Sequence, residues 1–385
     1  TKPRESRVES QPPGQLARCT SLIHTLTTIM DRLPTEILSS IYLALLPIPP
    51  CTFEFQTLYP ARDRLLALER LRLVSKQWNN VVLGLPELWS YIEVSGDQSI
   101  VDPLLERSKA APLHVRVTLD AFIRLGTKLE RIVETVWSTK DRWDTLVLSS
   151  PIFGNLSSVI PTPLQNVPEV WLSGSSIHYI RKLHVPRIEK LVEQTAVENI
   201  ELGELGLRSW VTKVPVLWSE WERFMKIIQQ SPALESLRLM ASRCNPRTVK
   251  ILFPRVYNSV TLPSLTELTT RTDRAAFALF PYIQAPRLEL LIVEDYDSFT
   301  SFTIPYPTSC PALRRVRFNG HAKLVAIQQF LLTVPKEQIE RVNIEIEYSK
   351  FAEDEESRRS GTEVVAERRK WIDEEFGVRW IVTQS

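Results

Sequence analysis

The sequence predicts an α/β chain: a small N-terminal three-helix module, then an irregular solenoid of parallel strands with helices on the outer side. Three observations carry this expectation. Residues 31–46 and 71–92 hold amphipathic stretches bracketed by Leu33 and Pro34 at the start and by Pro86, Leu88 and Trp89 at the end. Beyond residue 100 one frame recurs, Pro-x-Leu-x-x-Leu/Val, at "SPALESLRLM" (231–240), "LPSLTELTTR" (262–271), "APRLELLIVE" (285–294) and "CPALRRVRFN" (310–319). Glycine is scarce (11) and proline plentiful (27), which argues against Gly-rich phosphate loops and for many enforced element boundaries.

The elements follow in order. Residues 1–30 are polar and proline-containing, with neither a signal-peptide core nor a small-residue cleavage site, and read as a tail. Pro34 suits the first turn of a helix, where its missing N–H costs nothing. Ile37, Leu38, Ile41, Tyr42 and Leu45 recur at three- and four-residue spacing and form one apolar stripe. Pro47, Pro49 and Pro50 end that helix, and a loop runs to about Pro60. A second helix starts near Ala61, with Leu65, Leu68, Leu71 and Val74 on one side. A third covers about 76–83 and carries Trp78, Val81 and Val82. Pro86 and Trp89 close the module, and Tyr91–Val94 alternates as a strand. A unit spanning 31–92 buries too little surface to be robust alone. Its wide apolar faces call for the rest of the chain or for a partner.

"LPTEIL" (33–38), "LRLVSKQWNNVV" (71–82) and "LPELW" (85–89), in that order, resemble the F-box, in the form found in many fungal F-box proteins. The loop at 47–64 is longer than in a minimal F-box, though this type often carries one. The resemblance implies docking on a Skp-type adaptor and, through it, a cullin. It would set Leu33, Pro34, Ile37 and Leu38 against the adaptor. Val74, Trp78 and Val81 would serve either that contact or the module's own interior. A helical cap on a larger domain is the plainer alternative.

The region 93–385 is expected to be the solenoid. The prolines of its frame, Pro232, Pro263, Pro286 and Pro311, are 31, 23 and 25 residues apart. Weaker copies stand at 142–149, 167–174, 185–194 and 339–347, and Glu193 and Thr270 occupy slots where the frame wants an apolar residue. Periods of 20–30 residues with such cores mark a leucine-rich-repeat-like fold, because each strand turns its leucines inward and stacks on its neighbours. Helices near 215–230 and 322–333 would supply the returning layer. A doubly wound nucleotide-binding sheet is the structural competitor, but no G-x-G-x-x-G follows a strand and no P-loop exists. Residues 345–376 carry eleven acids against six bases and read as an acidic loop followed by a capping helix ending at Gly377. "VRWIVT" reads as a last strand.

The chemistry of the chain is sparse. Its 385 residues hold 47 Lys+Arg against 45 Asp+Glu, so overall charge gives no argument for nucleic acid or a membrane surface. No apolar run approaches the ~20 residues of a membrane span. Four cysteines (Cys19, Cys51, Cys244, Cys310) lie far apart, which fits a reducing compartment, cytoplasm or nucleus. None sits at metal spacing with any of the five histidines. No nucleophile elbow or metalloprotease motif exists, so the expectation is a non-catalytic protein with no metal and no cofactor. Trp171, Trp210, Trp218 and Trp221 are read as core, with a binding hot spot as the alternative. The outward residues of the repeat strands are the better binding candidate. They include Arg238, Arg271, Arg315, Arg317 and Arg341, a basic row suited to an acidic or phosphorylated segment. The competing reading is solvated charge balanced by Glu267, Glu294 and Glu345. Together with the resemblance, these features imply a substrate-recognition adaptor of an SCF-type ubiquitin ligase. The alternative is a repeat-based interaction scaffold with no ligase role.

Overall fold

The computed structural model describes residues 33–46, 61–94, 98–118, 127–149, 164, 166–173, 183–193, 200–202, 206–213, 218–240, 260–271, 283–295, 310–320, 324–333, 339–348 and 362–384. The expected tail at 1–30, the loop at 47–60 and the acidic stretch at 351–361 lie outside them. The chain divides into two units. One runs to Val117 and takes in Thr127–Val136; the other comprises Thr118–Gly126 and Trp137–Ser385.

The first unit contains helices α1 (Thr35–Leu45), α2 (Ala61–Arg72) and α3 (Lys76–Gly84), a 3-10 turn at Pro86–Trp89, strand β1 (Tyr91–Val94), helix α4 (Gln98–Ser108), strand β2 (Leu113–Thr118) and most of helix α5 (Thr127–Trp137). Pro34 precedes α1 at φ −55° and ψ 148°, values its ring favours. The Ser75 hydroxyl accepts the Trp78 N–H at 3.3 Å and caps α3. Leu38 and Tyr42 of α1 are buried, and Tyr42 meets Trp78 edge to face at 5.1 Å. The Trp89 indole donates to the Val82 carbonyl at 2.9 Å, which folds the 3-10 turn back on α3. β1 and β2 pair in parallel, from Tyr91 against His114 to Val94 against Val117. The unit therefore includes more than the three helices read at 31–92.

Arg64 is this unit's internal clamp. It is 7% exposed, and it donates to the Leu46 carbonyl at 2.8 Å and the Leu88 carbonyl at 3.3 Å. One side chain thus satisfies the open C-terminus of α1 and ties it to the 3-10 turn. Burial lowers the guanidinium pKa, opposed by Tyr91. The group remains a cation at neutral pH.

The second unit is a parallel array. Strands β3 (Trp143–Ser149), β4 (Glu169–Ser173), β6 (Lys190–Glu193), β8 (Ser209–Lys213), β9 (Ser236–Met240), β11 (Glu267–Arg271), β13 (Leu290–Asp295), β14 (Arg315–Gly320), β15 (Arg341–Tyr348) and β16 (Arg379–Gln384) lie side by side in that order. The intervening short strands form two separate parallel pairs, β5 (Leu183–Val185) with β7 (Ile200–Leu202), and β10 (Val260–Thr261) with β12 (Ile283–Gln284). Helices α6 (Trp218–Gln229) and α7 (Leu324–Thr333) occupy the positions expected of returning helices. Before β6, β11 and β13, short strands run into the turn instead. The residues there are β-branched in part (Val185, Val260, Thr261, Ile283), which favours strand over helix. α8 (Thr362–Phe376) ends at Gly377, at φ 55°, whose N–H reaches the Asp373 carbonyl at 3.0 Å.

The recurring proline frame has a backbone cause. The N–H groups of Leu234, Leu265, Leu288 and Leu313 donate to the carbonyls of Ser231, Leu262, Ala285 and Cys310, at 3.1 to 3.3 Å. Each proline is thus the second residue of a tight turn, the place its fixed φ suits. All four leucines are fully buried. The residue after each leucine then accepts two N–H groups from the next repeat. Glu235 accepts from Thr266 and Glu267, Thr266 from Glu289 and Leu290, and Glu289 from Arg314 and Arg315, at 2.9 to 3.1 Å. Every repeat therefore locks the register of its successor.

One repeat was not legible in the frame. At 206–213 the register sets Trp210 opposite Leu237 and Thr212 opposite Leu239, so the proline slot falls on Leu205, and Gly206, at φ 62°, directly precedes the inward Leu207. A Cβ at Gly206 would lie 2.7 Å from the Gln230 carbonyl oxygen, so the neighbouring turn leaves room for glycine alone.

Candidate functional site

Two surfaces qualify, one in each unit. In the first, the apolar stripe of α1 splits. Leu38 and Tyr42 are buried, whereas Ile37 and Leu45 are 47% and 62% exposed. Ile37, Ile41 and Leu45 follow at i, i+4 spacing and share a face. Leu66, Leu73 and Val74 are exposed as well. A cleft of about 460 Å³ opens between α1 and α3, lined by Thr35, Ser39, Lys76, Gln77, Asn80 and Gly84 among others. Gln77 closes one side by donating to the Leu33 carbonyl at 3.0 Å.

The residues named from the sequence therefore divide. Pro34, Ile37 and Val74 are exposed and Leu33 is half-buried. Leu38, Trp78 and Val81 pack inward, at 0%, 8% and 5% exposure, and are corrected to core positions. The helix turns Leu38 to the side of Tyr42, one turn on, and both meet α3. Leu45, a member of the same apolar stripe, is exposed, as are Leu66 and Leu73.

In the second unit the sheet has two faces. On the core face one row runs Leu146, Val170, Leu191, Trp210, Leu237, Leu268, Leu291, Val316, Val342, all buried. Trp210 stacks on Phe224 of α6 at 5.0 Å, and Trp221 does so at 5.8 Å. These two tryptophans are packing residues, as is Trp171, which is 4% exposed; the Trp218 side chain lies outside the described residues.

On the other face the middle row runs Val147, Trp171, Val192, Val211, Arg238, Thr269, Ile292, Arg317, Asn343 and Arg379. Its first four members are buried and apolar. From β9 onward it becomes polar. The arginine row begins there, but its members are not equivalent. Arg238 donates to both Glu294 carboxylate oxygens, at 2.7 and 2.9 Å, across the intervening strand β11. Its charge is matched. The Arg271 side chain lies outside the described residues; its backbone is in register with Glu294. Arg315 and Arg341 are exposed and in register with each other. Arg315 reaches Glu289 at 3.5 Å, with both side chains about half exposed. Arg317 is half-buried, and its Nε makes no hydrogen bond among the described residues. The Arg379 backbone is in register with Asn343, and its side chain lies outside the described residues. The sequence reading named the strand but not this residue.

The strand starts carry a separate charged collar: Glu189, Arg208, Glu235, Thr266, Glu289, Arg314, Glu340. Within it Arg208 pairs with Glu235 at 3.7 Å and Arg314 with Glu340 at 3.5 Å. Exposed pairs of this kind contribute little to stability.

One polar cluster lies in the core. Glu193 stands beside Leu172 in the second inward row, and Thr212 fills that row's slot on β8. Glu193 is 1% exposed and ion-paired with Arg223 of α6. Burial raises its pKa, and the Arg223 cation opposes the rise. The pair sits among packed side chains and not in a cleft. Among the described residues no group of His, Cys, Asp and Glu is placed to hold a metal ion, and no helix is long and apolar enough to cross a membrane.

No family model, no curated protein and no solved structure matches this chain. Its own fold defines it as an α/β protein with a large parallel sheet, compatible with a solenoid-like arrangement.

Proposed function

We propose that the chain is a substrate-recognition subunit of an SCF-type ubiquitin ligase. Its leucine-rich-repeat-like sheet would hold the target, and its F-box-like helices would dock on a Skp-type adaptor. The observation that carries the reading is the surface left open on the N-terminal helices. Ile37 and Leu45 on α1, with Leu66, Leu73 and Val74, expose large apolar side chains that a partner's surface would cover. The mechanism is one of placement. A target held at the sheet gains effective concentration beside a charged ubiquitin-conjugating enzyme, with no bond chemistry by this chain.

Co-purification of the full chain with a Skp-type adaptor tests this. The wild type should associate, and Ile37→Glu/Val74→Glu should not, with its thermal melting unchanged. Absence of association in the wild type rejects the ligase reading and leaves an interaction scaffold.

A further inference from the structure

We infer that the buried pair of Glu193 and Arg223 is a conformational key: it seats helix α6 on the β6 side of its repeat by penalising every neighbouring seat. The key concerns the second unit alone, and it stands or falls independently of adaptor docking.

Stability alone does not account for the pair. Both side chains are almost wholly withdrawn from water, and each loses its hydration to be there. Exchanging such a pair for packed apolar residues is often neutral or stabilising, whereas separating its partners is costly. A buried pair therefore acts more through the arrangements it forbids than through the energy it adds.

The arrangements to be forbidden follow from size. α6 carries the chain from β8 to β9, adjacent strands whose backbones lie about 4.8 Å apart. A helix with its side chains is about 10 Å across, so α6 must overhang a neighbouring repeat on one side or the other. Its buried residues, Trp221, Phe224, Ile227 and Ile228, are all apolar. Phe224 stacks on Trp210, and the same inward row offers Leu191 on one side of Trp210 and Leu237 on the other. Apolar burial has no direction. It holds α6 on the sheet without choosing between the side of β6 and the side of β11.

The second inward row makes that choice. It runs Leu172, Glu193, Thr212, Leu239 and Thr270 on β4, β6, β8, β9 and β11. Arg223 reaches past β8 to Glu193 on β6, and the Thr212 hydroxyl donates to the same carboxylate at 3.4 Å. Moved one strand toward β9, Arg223 would face Thr212, and Glu193 would be a buried charge with no cation. Moved one strand the other way, Arg223 would face Leu172, and Glu193 would again be left alone. Only the observed seat joins the two charges, and an unpaired charge in the core is among the costliest faults a fold can carry.

The test is fluorine NMR of the full chain labelled with fluorotryptophan. The lines of Trp210 and Trp221, assigned through Trp210→Phe and Trp221→Phe, report the seat of α6, and Trp89 of the first unit is the control. The wild type should give one line for each. Glu193→Leu/Arg223→Met should stay folded, yet its Trp210 and Trp221 lines should split or broaden, with a second state of at least about a tenth of the population, while Trp89 keeps one line. Should that variant fail to fold, Glu193→Gln/Arg223→Gln, which removes both charges and keeps polar side chains, carries the same readout. One unshifted line for each tryptophan in the folded variant overturns the inference, because apolar packing then sets the seat by itself. Splitting that extends to Trp89 overturns it too, because the order lost is then not that of α6.

Discussion

Glu193 on β6 and Arg223 on α6 form an ion pair inside the second unit, with side chains 1% and 13% exposed. The pair stands in a row that is otherwise leucine, valine and phenylalanine, apart from Thr212 and Thr270. Removing one partner leaves a buried charge with nothing to face it. Glu193→Leu should therefore cost about 3–5 kcal/mol, measured by denaturant unfolding. Glu193→Leu/Arg223→Met restores an apolar row and should recover most of that loss. If the double variant is as unstable as the sum of its single changes, the pair is not an isolated buried couple.

The same residue predicts a pH effect. Burial raises the Glu193 pKa above the ordinary glutamate value, against the attraction of Arg223. Between the unfolded and the folded values the native state holds the proton that the unfolded chain has lost. The stability this group contributes is complete below the unfolded value and is lost as pH rises through the folded one. The stability of the wild type relative to Glu193→Gln should fall as pH moves from the acid range toward neutrality. A rise over that range would show that Arg223 outweighs burial.

Gly206 predicts a packing effect. Alanine there must adopt φ near 62°, which costs about 1–2 kcal/mol, and its Cβ meets the Gln230 carbonyl oxygen at 2.7 Å. Gly206→Ala should lower the melting temperature of the repeat unit, whereas Gly84→Ala should not, because nothing lies within 4 Å of a Cβ at Gly84.

Arg64 predicts the stability of the N-terminal unit. Arg64→Met keeps the stem but strands the carbonyls of Leu46 and Leu88, a loss of about 1–3 kcal/mol for each one left dry. Hydrogen exchange in α1 and at Leu88–Ser90 should accelerate, while exchange in β9–β14 stays unchanged. Protection that is equal in variant and wild type would remove Arg64 from its role as clamp.

Much of this architecture was legible because it is periodic. The turn set by Pro232, Pro263, Pro286 and Pro311, and the alternation that sends Leu237, Leu268, Leu291 and Val316 inward, need only the two-residue period of a strand and the fixed φ of proline. The repeat at 206–213 escaped notice because Leu205 stands in its proline slot and Trp210 fills the inward slot with a ring instead of a leucine. The sequence also marked Glu193 as out of place in its frame. It could not name Arg223, thirty positions later, as the partner.

The sequence by itself determined the strands of the proline frame, their inward leucines, the turns that precede them and the helical start of the chain. Only the tertiary structure decided which exposed groups are free. Ile37 and Leu38 are neighbours in one apolar stripe, yet packing against α3 buries one and leaves the other to solvent. Arg238 and Arg317 occupy the same outward row, yet Glu294, 56 residues from Arg238 in sequence, neutralises the first and not the second. Backbone periodicity fixes the face a side chain points to. Whether it meets a partner there depends on distances between strands far apart in sequence, and those arise only when the sheet is assembled.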